Sequence, residues 1–155
     1  MRRAFLLALV SGLTLLALTG PSGGTAWAKA TKTHVSFTDT TTTSVPGREW
    51  QSGPIFHVRG EVETGPVEGD LVGTITVHAN VNINVTTGQG VVFGKFSLVT
   101  ADVTWSGSFV GKLSGDAGHG RFIGQGTDGS KLRGTFTSIG GGANQDEAAI
   151  LSPHG

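Results

Sequence analysis

The chain has 155 residues with 11 Lys and Arg against 11 Asp and Glu, 26 Gly and no Cys. The length suits one small domain, and the missing Cys excludes both a disulfide framework and a lipid-modified cysteine anchor. The balanced charge gives no electrostatic reason to expect nucleic acid or an anionic membrane as partner.

At the amino terminus Arg2 and Arg3 precede an apolar run from Ala4 to about Leu18, and the small-residue site Ala26-Trp27-Ala28 closes the segment. This is the order of a cleavable signal peptide, with residues 1–28 removed after Ala28 and the product delivered outside the cytoplasm. The run is shorter than the ~20 residues of a spanning helix, so no stable membrane insertion is expected after cleavage. The segment Arg2 to Leu6 also resembles the twin-arginine export pattern, but paired arginines beside the initiator Met are common, so general secretion is preferred. The mature chain keeps nine Lys and Arg against 11 Asp and Glu, a formal charge of −2.

Strands are expected wherever apolar and polar residues alternate, because successive side chains point to opposite faces of a sheet. A short strand is predicted around His34 to Asp39. Thr40 to Gly47 reads as a polar linker or rim loop. Phe56, Val58, Gly60 and Val62 then share one face and His57, Arg59, Glu61 and Glu63 the other. From Leu71 to Val85 the odd positions are apolar or Gly and the even ones, Val72 apart, are Thr, His or Asn. An extended stretch of that length would span roughly 50 Å, so a bend or bulge is expected near His78 to Asn80.

The next apolar rows are Val92, Gly94, Phe96, Leu98, and then Val103, Trp105, Gly107, Phe109, Gly111, Leu113. Two further strands are predicted at Gly118 to Thr127 and Lys131 to Ile139, with Phe122, Leu132 and Phe136 on the apolar side. Asp128-Gly129 between them carries the signature of a type I′ turn. Gly140 to Gly142 opens a segment, 140–155, read as a flexible tail.

The predicted architecture is therefore all-β, a closed antiparallel barrel of about seven or eight strands over residues 29–139, with a β-sandwich as the alternative. Glycines recurring in the apolar rows favour the barrel, where they relieve crowding on the concave face. A lipid-facing barrel is disfavoured because the mature chain has no Tyr and only Trp50 and Trp105, too few for aromatic girdles.

The segment GDLVGTITVHANVNINV, Gly69 to Val85, followed by FVGKLSGDAGHGRFIGQGTDGSKLRGTF, Phe109 to Phe136, resembles the small secreted bacterial barrels grouped with allene-oxide-cyclase-like and dirigent-like proteins. The resemblance implies a barrel that cradles a lipophilic or reactive molecule and steers its cyclisation or coupling. No catalytic residue of that group maps onto a position here.

The chain holds no nucleophile elbow, no H-E-x-x-H, no phosphate-cradling loop and no calcium loop. The five histidines are scattered one per segment, so no metal site and no cofactor is expected. Glu61 and Glu63, with Asp70 nearby, could form a carboxylate pair for acid–base work, but their phase with Arg59 reads as a water-facing row. His119, Arg121, Gln125, Lys131 and Arg133 share the polar faces of the last predicted hairpin and could attract an anion. The row from Thr74 to Asn84 would make a flat polar surface.

The strongest candidate site is the barrel interior, where Phe96, Trp105, Phe109, Phe122 and Phe136 should meet as a ligand-binding lining, with Trp50 as a lid across one mouth. Three functions fit these residues. The preferred one is non-catalytic binding of a small lipophilic molecule. A cyclase- or isomerase-like enzyme on the same scaffold is the second, marked by an inward ionisable group beside a cavity. A filled-core surface protein contacting protein or glycan is the third. The oligomeric state is open on the sequence.

Overall fold

The computed structural model describes residues 30–153, all strand and turn with no helix. The expected signal segment and its cleavage site lie outside the described residues. Ten strands follow in chain order: β1 (Thr31–Thr40), β2 (Thr43–Val45), β3 (Arg48–Ser52), β4 (Ile55–Gly69), β5 (Gly73–Asn84), β6 (Gln89–Thr100), β7 (Thr104–Ser114), β8 (Ala117–Gly126), β9 (Lys131–Gly140) and β10 (Ala143–Ser152). All pairings are antiparallel. From β4 to β10 each strand pairs with the next, β10 returns to β1, and β1 meets β4. The result is a closed eight-stranded barrel with β2 and β3 outside the ring. The sandwich alternative falls because the sheet has no break into two layers.

Closure is asymmetric. β1 pairs with β10 along ten residues, but with β4 through Phe37–Gly69, Thr38–Glu68 and Asp39–Val67 alone. Ser36 and Asp70 extend this short seam, the Asp70 amide donating to the Ser36 carbonyl and the Ser36 amide to Asp70 Oδ2, each at 2.9 Å. Beyond the seam the same edge of β4 is covered by β2 and β3.

Of the segment 140–155 read as a flexible tail, Ala143–Ser152 is a ring strand, and 154 and 155 lie outside the described residues. Gly141 and Gly142 have φ of 63° and 75°, so this glycine pair makes the two-residue turn with both central residues at positive φ. Asp128-Gly129 forms a different turn from the one expected. The Gly129 amide donates to the Gly126 carbonyl at 3.0 Å and the Gly126 amide to the Ser130 carbonyl at 2.7 Å. That is a three-residue loop whose last member, Gly129 at φ 84°, takes the left-handed position. The segment read as a polar linker contains β2.

The bulge expected in β5 lies across from it. β5 keeps an unbroken register with β6, while the β4–β5 register slips between Arg59 and Glu61, with Gly60 at φ 73°. Val58 faces Val81 before the slip and Glu61 faces Ala79 after it. The extra residue reverses the phase of the rest of β4, so Glu61 and Glu63 turn into the barrel and Val62 turns out.

The interior is packed at one end. Leu98, Leu132 and Val67 are at most 1% exposed and close with Val35, Leu71 and Trp105 into an apolar floor. Trp105 satisfies its indole there by donating from Nε1 to Ser130 Oγ at 2.9 Å.

Candidate functional site

Above the floor the strands enclose a cavity of about 200 Å³. Phe96, Phe109, Phe122 and Phe136 line it, and Phe37 from β1 joins them. The rings interlock, with Phe96 against Phe122 at 5.8 Å and 78° and Phe109 against Phe136 at 6.1 Å and 78°, the edge-to-face geometry that aromatic quadrupoles prefer. Glycines on neighbouring strands make the room. A Cβ on Gly94 would stand 2.9 Å from the Phe109 ring, and one on Gly124 2.9 Å from Phe96. The ring edges reach to where a Cβ would stand, so the missing side chains make room for the rings.

Two of the expected site residues lie elsewhere. Trp105 belongs to the floor and is not among the cavity-lining residues. Trp50 is no lid. It sits opposite His57 in the β3–β4 ladder and stacks on that imidazole at 4.8 Å and 17°, on the outward face. Arg48 and Arg59 lie 5.2 and 5.4 Å from its ring centre. Arg59 also bonds Asn82 Oδ1 at 2.7 Å, so the outward Asn row anchors this stack. Gln125, Lys131 and Arg133 line an outer depression with Lys95, which His119 and Arg121 do not join. Asp70 belongs to the seam.

No model of a known protein family and no curated protein matches this chain.

The chemistry of the cavity comes from four acids. Asp39, Asp146, Glu61 and Glu63 all line it, together with Ser138 and Asn144, and among the described residues no Lys, Arg or His does. Asp39 and Asp146 stand on adjacent strands, displaced by two residues from a direct pair, since Phe37 faces Asp146 and Asp39 faces Asn144. Their carboxyls share a hydrogen bond. Asn144 Nδ2 donates to Asp39 Oδ1 at 3.1 Å, and Ser138 Oγ donates to Asn144 Oδ1 at 2.9 Å, so the side chains beyond Asp39 are fixed as a relay.

Burial raises the affinity of Asp39 and Asp146 for protons. Asp146 is 3% exposed, and burial, followed by the charge of Asp39, pushes its carboxyl up to about 8. Asp39 is also raised, first by burial, with its bonds to Asp146 and Asn144 opposing. The two therefore titrate as a coupled pair that retains a shared proton near neutrality. Asp146 Oδ2 is buried without a hydrogen-bond partner. Glu63 is raised by burial and then by its neighbour Glu61, while a 3.5 Å bond from Thr41 Oγ1 opposes. Glu61 accepts a 2.9 Å bond from Ser44 Oγ, which brings β2 to the rim of the site.

Sequence reasoning missed Asp39 and Asp146 and set Glu61 and Glu63 aside as a water-facing row, for physical reasons. Asp39 continues the phase of Val35 and Phe37, and Asp146 that of Ala148 and Ile150. An acid in the apolar phase of an alternating run was the signal. Glu61 and Glu63 gave no such signal, because the Gly60 bulge shifts their phase. Among the described residues no group of three or more His, Cys, Asp or Glu is placed to hold a metal ion.

Proposed function

We propose that this chain is an exported barrel that binds a small, mainly apolar molecule in its interior. The observation that carries the reading is the Phe-lined cavity of about 200 Å³. An apolar cavity of about 150 Å³ in another protein holds benzene, so this one suits a single-ring or short aliphatic ligand. The cavity tells against a filled-core surface protein, and the inward apolar rows are the reverse of a lipid-facing barrel. The Arg2-Arg3 and Ala4–Leu18 pattern supports export, and the resemblance to allene-oxide-cyclase-like and dirigent-like barrels supports an internal guest.

The test is native mass spectrometry of the mature protein taken from its own secretion medium, with solvent extraction of whatever it carries. It is paired with an NMR titration against single-ring hydrocarbons. A stoichiometric passenger, or saturable shifts at Phe96, Phe109, Phe122 and Phe136, supports the reading. A clean mass with no uptake overturns it.

A second reading, a cyclase- or isomerase-like enzyme, is favoured by the Asp39–Asp146 pair. A carboxyl raised to about 8 beside a carboxylate is suited to donating and recovering a proton near neutrality. Turnover of the extracted passenger that is lost in Asp146→Asn, with binding retained, would establish it.

A further inference from the structure

We infer that the guest of this cavity is a hydrophobic organic cation, an ammonium group carried on one ring or a short aliphatic body. The inference rests on the cavity-binding reading above and names its ligand class. Four carboxyl groups line the cavity and, among the described residues, no basic side chain does. Buried acids are normally found paired with a cation or with a full set of donors. Asp146 has no cation and no full set of donors: it is 3% exposed, it bonds the Asp39 carboxyl, and its Oδ2 has no hydrogen-bond partner among the described residues. A guest in the cavity can supply the missing donor.

The charge of the pair fits a monovalent cation. With one proton shared, Asp39 and Asp146 carry one negative charge, which a single ammonium neutralises. A metal ion is a poorer match, because among the described residues no group of three or more acids is placed to hold one. The rest of the lining is also suited to ammonium. Ring faces attract cations through the quadrupole, most strongly when water is excluded, and Phe37, Phe122 and Phe136 share the lining with Asp39 and Asp146. An anionic guest would meet four carboxyls with no counter-charge. A neutral apolar guest would leave Asp146 Oδ2 unsatisfied.

The experiment measures binding of four probes of one shape to the mature protein by calorimetry at neutral pH: phenethylamine, propylbenzene, phenethyl alcohol and hydrocinnamate. Phenethylamine is expected to bind at least tenfold more tightly than the hydrocarbon and the alcohol, with no binding of the carboxylate. Asp146→Asn and Asp39→Asn are expected to abolish the preference while propylbenzene still binds. Propylbenzene or the alcohol binding as tightly as the amine to the unaltered protein overturns the cation inference and leaves the cavity reading standing. So does a preference that survives in both variants. Failure of all four probes overturns the cavity reading itself. The comparison on the unaltered protein decides the matter even where a variant does not fold.

Discussion

Gly60, the unpaired residue of the β4–β5 bulge, donates its amide to Asn80 Oδ1 at 3.2 Å, and the next residue along β4 is Glu61, turned into the barrel. The bulge at Gly60 therefore shapes the acidic site as well as the strand. No atom lies within 4 Å of where a Cβ on Gly60 would stand, so the obstacle to a side chain is its left-handed φ of 73°. Gly60→Ala should cost about 1–2 kcal/mol in urea unfolding, the strain of an L-residue in that region. Deleting Gly60 is expected to be tolerated with Glu61 still inward, because removing the extra residue restores a regular ladder in the same phase. Nuclear Overhauser contacts between residue 61 and Ala79 would check it.

Stability should fall as pH rises from acid to mildly alkaline. Asp146 binds its proton more tightly folded than unfolded, so its contribution is full below the unfolded carboxyl range and lost as pH rises through about 8. Asp39 and Glu63, also raised, act in the same direction. Exposed Asp128, lowered by its bonds to Ser130, acts in the opposite one. Melting curves at pH 5 and pH 9 should show the lower Tm at pH 9, and Asp146→Asn should flatten the difference.

Gly124→Ala places a methyl 2.9 Å from Cζ of the buried Phe96 and forces that ring toward the cavity. Destabilisation of about 1–3 kcal/mol is expected from overpacking. Binding of a single-ring hydrocarbon should weaken with it, as a parallel titration and denaturation would show.

Ser130→Ala removes the acceptor of the Trp105 indole in the floor, where Ser130 is 0% exposed. An unsatisfied buried N–H costs about 1–3 kcal/mol. The loss should appear in chemical denaturation and leave ligand affinity nearly unchanged, since neither residue lines the cavity.

Trp50→Ala should leave cavity binding unaltered and move the ring-proton NMR resonances of His57, on which the indole stacks. A large fall in affinity would return Trp50 to the role of lid.

The strands that alternation reveals are those whose inner row is apolar throughout. β5 to β9 are legible on that ground, and so are the four cavity phenylalanines, because their rings occupy the same phase as Val, Leu and Gly. β10 is hidden by its own polar inner positions: Asn144 and Asp146 stand where apolar residues would otherwise announce an inner row, and the glycines before it look like the start of a tail. Glu61 and Glu63 are hidden differently, by one added residue that a periodicity argument cannot see. β2 and β3 are short and exposed, so no burial pattern marks them. Site residues that break a local rule are the ones local rules fail to find.

The ring's weakest circumference is also where one of its acids is mounted. β1 meets β4 through three residue pairs and β10 through ten, so spontaneous opening breaks the fewest backbone bonds there and amide exchange along Phe37 to Asp39 should outpace the rest of the ring. Asp39 is a member of that zipper, opposite Val67. Parting β1 from β4 leaves Asp39 beside Asp146 and carries both away from Glu61 and Glu63 on β4, so a guest that touches both sets of acids spans the side of the barrel that opens first. Occupancy and closure are then thermodynamically linked, and a filled barrel should exchange its seam amides more slowly than an empty one.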